Sequence, residues 1–518
     1  MMKQTFVLLA LCLAAACDLT GQALNGTCGT TIEDQMQYTE RLMDNLARAE
    51  SGQVSERGAV QYVPVHFHIV GDASGNGKHK ENQILDQLCD MNEAYAPMDI
   101  RFFLSPHPTY GLFDYTINND NVYVGQSNTF LMANRRHTGA LNIFIVNQAF
   151  TGNNVLAYYS PGNDWVVSRK DQVNGTGNGT VPHEVGHFFS LRHTFYGYED
   201  NPFNPNSSGW PVAPIIAPYH PGPNIDILTE RQNGSNCANS ADLICDTPPD
   251  YNFGSLQSGC NPYNGGAKDP LGTLVDPMEN NYMSYFFNCG SSYQFTPMQQ
   301  AAVLADLASP FRNYLDNVFS PIATSITTPP DLLLGPVDAD TTDYYDQVLL
   351  NWHSVAGANR YLLEIDLNGF YNSPLRQAFI MTDTAKLFNN LSPNKKYFWR
   401  VRPFNEYVTC PESREKTFRT SLTSSTHDIS ELEGWQLAPN PTRGTESVQL
   451  FISASESFEA VVQVLDLTGR IVRTMDSQTV NAGENVLELP LYGLSEGLYM
   501  VMLQSSRGVA SRKLTITR

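Results

Sequence analysis

The chain has 518 residues, a net charge of -20 and no basic run, which argues against nucleic acid and anionic membranes as partners. That length suffices for three or four domains around large cores. Charged residues make up only 16% and aromatic residues 11%, a profile common in exported, sheet-rich proteins.

Residues 1–17 carry Lys3, an apolar run from Phe6 to Leu13 and then Ala14-Ala15-Ala16. This is the pattern of a signal peptide, too short to span a bilayer as a helix. Cleavage before Cys17 as in a lipoprotein is the alternative to ordinary cleavage. Export permits disulfides, and seven of the nine cysteines lie beyond this segment. Residues 18–57 read as a pro-segment. A polar helix is expected over 31–49, with Ile32, Met36, Met43 and Leu46 as its apolar positions. So little apolar surface leaves two readings, a solvated leader or a helix that docks elsewhere.

A globular domain is expected over 58–318. Residues 62–70 alternate and are β-branched, as a strand does. His66 and His68 on it read as structural. Residues 81–95 form an amphipathic helix in which Cys89 reads as a buried thiol. Further strands follow at 100–104 and 141–146, and a hairpin at 155–159 and 165–168.

Next comes His183-Glu-Val-Gly-His187-Phe-Phe-Ser190-Leu-Arg-His193. Histidines four apart share one helix face and can chelate one zinc ion. Glu184 projects from a neighbouring face, where it can reach a water in the open coordination position. Zinc lowers the pKa of that water and Glu184 takes its proton, giving a nucleophile for a peptide carbonyl. His193 lies too far along to share the helix face, so the chain must turn after Ser190 to return it as a third ligand. Residues 196–235 form a long Pro/Asn/Gly-rich loop, and Asp242-Leu-Ile-Cys245-Asp246-Thr247-Pro248 follows. Met283 and Tyr285 lie in Asn281-Tyr-Met-Ser-Tyr285. A helix over 296–315, with Pro297 in its first turn, is expected to close the domain.

This pattern resembles the long zinc motif of the metzincin metallopeptidases, and His193-Thr194-Phe195 resembles the pappalysin family. The resemblance implies a zinc endopeptidase acting on protein or peptide substrates as a monomer. His183, His187 and His193 would hold Zn2+, with Glu184 as general base. Met283 would form the turn beneath the zinc, and Tyr285 would hydrogen-bond the oxyanion. It implies Ca2+ at Asp242 and Thr247, against an Asx-turn reading of the same residues. Cys260–Cys289 matches a family disulfide, which leaves Cys237 and Cys245 to pair. Cys28-Gly29-Thr30 resembles a cysteine switch, with the Cys28 thiolate on zinc in the zymogen and cleavage near Arg57–Gly58 releasing it; a disulfide or a plain leader thiol is the other reading of Cys28. Ser190 stands where the family usually has Gly, at a left-handed position that costs a non-Gly residue about 1–2 kcal/mol. Family members place an acid after the Met-turn tyrosine. Here Tyr285-Phe286-Phe287-Asn288-Cys289 has none, so an apolar or permissive specificity pocket is expected.

Beyond 318 the composition changes. Residues 327–422 resemble a fibronectin type III domain, with Trp352 and a corner-type Tyr397, and Cys410 is expected to be a free thiol. After a Ser/Thr-rich acidic linker, residues 435–518 resemble the C-terminal sorting domain of the type IX secretion system. That implies this machinery as a partner and export across the outer membrane of a Gram-negative bacterium. The expected architecture is an α/β (α+β) metzincin catalytic domain followed by two all-β sandwich domains. The reading from another functional class is a catalytically silent adhesin that keeps zinc as a staple.

Overall fold

The computed structural model describes residues 27–52, 60–151, 154–175, 177, 179–208, 210–219, 226–316, 325–422, 429–443, 447–467, 469–506 and 508–517. The leader read at 1–17 and the cleavage position near Arg57–Gly58 lie outside them. The chain divides into two compact units, residues 1–319 and 320–518.

The first unit is built on a mixed sheet. Its strands are β1 (Thr27–Cys28), β2 (Gln61–Ile69), β3 (Ile100–Leu104), β4 (Phe113–Asp114), β5 (Leu141–Val146), β6 (Val155–Ser160) and β7 (Trp165–Arg169), in the order β1-β6-β7-β5-β2-β3 with β4 against β2. β5 and β2 run parallel, as do β2 and β3, whereas β6 returns antiparallel on β7. All six residues of β5 are buried, as befits a parallel strand covered on both faces. The helices are α1 (Ile32–Gln37), α2 (Thr39–Glu50), α3 (Glu81–Tyr95), α4 (Asp120–Tyr123), α5 (Thr129–Arg135), α6 (Thr180–Phe188), α7 (Pro205–Ser208) and α8 (Pro297–Leu307). α3 and α6 pack on the sheet and on each other, and α2 packs on α8.

Three expectations need correcting here. The helix expected over 31–49 is two helices that break at Tyr38, the first opened by a Thr31 capping box with Asp34. Of its expected apolar positions Ile32 is buried and Leu46 half-buried, but Met36 and Met43 are exposed, and Gln35, Tyr38, Leu42 and Asn45 complete the inward face. The surface it covers carries histidine nitrogens and carboxylates, so polar side chains are what it must present. The closing helix, capped by Thr296, ends at Leu307 rather than running to 315, because Pro310 cannot continue it. Cys89 and Cys410, read as thiols, are each disulfide-bonded.

In the second unit, a three-stranded sheet (Leu333–Gly335, Val348–Trp352, Ala385–Phe388) and a five-stranded sheet enclose a core around Trp352, Tyr361 and Trp399. The Tyr397 hydroxyl accepts the Ser392 N–H at 2.9 Å. A second pair of sheets, three- and six-stranded, encloses a core around Trp435, Val462 and Leu503. Its first strand begins at Leu432, three residues before the expected boundary. No described helix is long and apolar enough to cross a membrane.

Candidate metal centre and cleft

α6 carries His183, Glu184 and His187, all buried. The helix ends in a Schellman motif: Ser190 N–H donates to His187 O at 2.9 Å and Leu191 N–H to Gly186 O at 3.0 Å. The residue between Phe189 and Leu191 must then be left-handed, and Ser190 has φ +67. This reversal returns His193 to the other two histidines. The Cys28 sulfur and one nitrogen from each of the three rings lie within 4.8 Å of one another.

The hydrogen bonds on the outer ring nitrogens set the tautomers. His183 Nδ1 faces Tyr282 O at 2.6 Å, His187 Nδ1 faces Leu191 O at 2.8 Å and His193 Nδ1 faces Glu199 Oε1 at 3.3 Å. The carbonyls place the proton of His183 and His187 on Nδ1, and all three Nε2 atoms turn inward, those of His187 and His193 3.1 Å apart. His183 Nε2 is buried with no hydrogen-bond partner, as is Glu184 Oε1. Three converging imidazole nitrogens beside an orphaned carboxylate oxygen fit a zinc ion and a general base. Burial pushes the Glu184 carboxyl up to about 8, against hydrogen bonds from Cys28 and Thr30 that lower it.

The turn around Met283 packs directly beneath α6. A Cβ at Gly186 would lie 2.4 Å from Met283 Sδ, which is why the fourth residue of the helical motif is glycine. Thr194 N–H donates to Met283 O at 3.2 Å, binding the third-histidine loop to that turn. The Tyr285 ring lies 5.0 Å from the His193 ring, and its hydroxyl donates to Cys28 O at 3.2 Å. Disulfides join Cys260 to Cys289 and Cys237 to Cys245.

Residues 27–38, ahead of β2, lie against the three histidines and Glu184. β1 pairs parallel to β6, and a Cβ at Gly29 would meet Val155 Cγ1 at 2.7 Å, so only glycine passes there. Cys28 is the one free thiol among the described residues. Thr30, quoted in the sequence motif but given no role, accepts the Tyr159 N–H at 2.8 Å and donates to Glu184 Oε2 at 3.1 Å. Gln35 and Tyr38 were not foreseen either. Gln35 Oε1 accepts the His193 backbone N–H at 2.9 Å, and the Tyr38 hydroxyl sits 3.0 Å from His187 Nδ1. Their only signal was spacing, three apart after a capping box.

Leu156, Thr180, Phe286, Phe287 and Tyr293 line a pocket that opens on His183 and Glu184, and Glu184 is its only acid among the described residues. The hydroxyl of Tyr293 is engaged by Phe286 O at 2.8 Å. Away from the cleft, Asp242 and Thr247 are buried and bonded to each other at 2.9 Å. Glu230, missed in the sequence, is 3% exposed, and its Oε2 has no partner. Burial and the Asp242 charge both push its carboxyl up. His68 lies between Asp114 and Asn142, at 3.1 and 3.0 Å, and His66 Nδ1 faces Ser105 O, so both histidines are held by structural hydrogen bonds.

Residues 436–517 match the family model described as a secretion system C-terminal sorting domain. The chain is 30% identical over 257 residues to an extracellular metalloprotease of Neurospora crassa, covering 43% of this chain and 86% of the relative. It is 31% identical over 213 residues to an extracellular metalloprotease of Colletotrichum graminicola, covering 37% and 72%. Among solved structures, a Tannerella forsythia promirolysin mutant aligns over 56% of this chain and 96% of its own, at 18% identity and a TM-score of 0.36.

Proposed function

We propose, for a chain that belongs to the extracellular metalloprotease family, a latent zinc endopeptidase in which His183, His187 and His193 hold the metal and Glu184 is the general base. The observation that carries this reading is the convergence of three imidazole nitrogens within 4.8 Å of one another beside the unpartnered Oε1 of Glu184. Zinc bound there supplies a Lewis acid and lowers the pKa of a coordinated water. Glu184 accepts a proton from the attacking water and delivers it to the leaving amine. Tyr285, freed from Cys28 O when the pro-segment leaves, donates its hydroxyl to the developing oxyanion. Met283 supports α6 from below. Cys28 is the zymogen's fourth ligand, and Thr30 immobilises the base.

The pocket behind Glu184 takes an apolar or aromatic residue just after the scissile bond. Its walls are mostly phenyl, tyrosyl and aliphatic groups, and among the described residues its one carboxylate is Glu184, which is engaged as the base, so none is left for Arg or Lys. Asp242 and Thr247 hold calcium together with Glu230, whose unpartnered buried oxygen supplies the third hard donor. Residues 327–422 act as a fibronectin type III spacer: the Tyr397–Ser392 bond is the support for the corner motif. Residues 435–518 form the sandwich that addresses the chain to the type IX machinery, and the protein is exported across the outer membrane.

Glu184→Ala tests the mechanism. Hydrolysis of casein by the mature enzyme should fall by two to four decades or more while zinc content is unchanged. A chelator should abolish wild-type turnover. Full turnover by the purified variant would falsify the assignment of the base.

A further inference from the structure

We infer that Glu199 is the positioning residue for His193 in the mature enzyme, which deepens the zinc reading and rests on it. His183 and His187 direct their Nδ1 protons to backbone carbonyls, Tyr282 O and Leu191 O. Carbonyls come with the fold. His193 has no such carbonyl: its Nδ1 meets the Glu199 carboxylate at 3.3 Å. Phe195 stacks on its ring at 4.6 Å with planes 13° apart, and the Tyr285 ring packs against both, 5.0 Å from His193 and 4.4 Å from Phe195. The ring plane is thus fixed by packing, while its tautomer is set by Glu199.

Glu199 is itself tied down. Its Oε2 accepts the Gly197 N–H at 2.8 Å, and its backbone carbonyl accepts Asn252 Nδ2 at 3.0 Å. The His193 side chain is fully buried and that of Glu199 is 11% exposed. A carboxylate on the outer nitrogen makes an imidazole a stronger donor on the inner one.

The pro-segment interferes with this contact. Gln35 Oε1 is held by the His193 backbone N–H, so its Nε2 must face the ring. There Nε2 lies 3.0 Å from His193 Nδ1 and donates to Glu199 Oε1 at 3.1 Å. An amide NH2 cannot accept the Nδ1 proton, so Gln35 competes with His193 for one carboxylate oxygen. Departure of the pro-segment hands that oxygen wholly to His193. Zinc retention by the histidines then depends on Glu199 more in the mature enzyme than in the precursor.

The test measures zinc affinity by competition with a chromophoric chelator. It uses the Cys28→Ala chain, in which the histidines alone hold the ion, before and after removal of the pro-segment. Each form is compared with and without Glu199→Ala or Glu199→Gln, and the metal-free thermal midpoint is recorded alongside. Glu199→Ala should weaken zinc binding about 10–100-fold, and by more in the mature form. Glu199→Gln, which keeps an acceptor oxygen, should recover most of the loss, with metal-free midpoints unchanged. Unchanged affinity in Glu199→Ala, with zinc still bound by the parent, overturns the assignment alone. So does an equal loss in both variants accompanied by a lowered metal-free midpoint, which marks a merely structural role. A parent that takes up no zinc overturns the metal reading and this assignment with it.

Discussion

Replacing Ser190 separates backbone strain from hydrogen bonding in the turn that returns the third histidine. The residue sits at φ +67, where a non-Gly residue loses about 1–2 kcal/mol. Against that, its one hydroxyl proton is shared between Asp306 Oδ1 at 3.0 Å and Phe189 O at 2.6 Å, and its oxygen accepts Asn45 Nδ2 at 3.0 Å. A buried hydrogen bond to a charged group contributes roughly 1.5–3 kcal/mol. Asp306 is not orphaned by the loss, since Arg312 Nε at 2.7 Å, Arg41 Nε at 3.1 Å and Asn45 remain on it. Ser190→Gly gains the strain term and loses the bond, for a net destabilisation of about 1 kcal/mol. Ser190→Ala keeps the strain and loses the bond, about 1.5–3 kcal/mol. The two variants should therefore differ by roughly 1–2 kcal/mol, or a few degrees in thermal midpoint for a unit of this size. Thermal unfolding of the zinc-loaded full-length chains measures both. An alanine variant as stable as the glycine variant would refute the strain argument. A glycine variant more stable than wild type by the whole strain term would show that the hydroxyl contributes nothing.

Latency should rest on more than the thiol. Cys28→Ala should raise the precursor's activity toward casein only in part, because Thr30 still holds Glu184, and Cys28→Ala/Thr30→Val should raise it further. A double variant as latent as wild type would assign latency to the cover by α1 and α2. For specificity, proteome-derived peptide libraries should return Leu, Met or Phe just after the scissile bond, and a profile dominated by Arg or Lys there would contradict the pocket's walls. A calcium chelator should lower the thermal midpoint of wild type but not of Glu230→Gln, and equal shifts in both would remove Glu230 from the calcium site.

What the sequence determined by itself is local. His183, Glu184 and His187 fall on one helix through 3.6-residue periodicity, and Ser190 follows where that helix must reverse. The strands at 62–70 and 141–146 and the helix at 81–95 were legible because apolar periodicity reports a buried face directly. Where the buried face is polar, periodicity misleads. The helix pair α1 and α2 turns Gln35, Tyr38 and Asn45 inward and leaves Met36 and Met43 in water, because its partners are His193, His187, Ser190 and Asp306. No spacing rule links Thr30 to Glu184, 154 residues away, or identifies Glu230 among the many acids of an acidic chain. Those pairings exist only once the sheet and α6 have fixed their distances. A buried polar atom must find its partner wherever the fold puts one, and the local sequence carries no record of that choice.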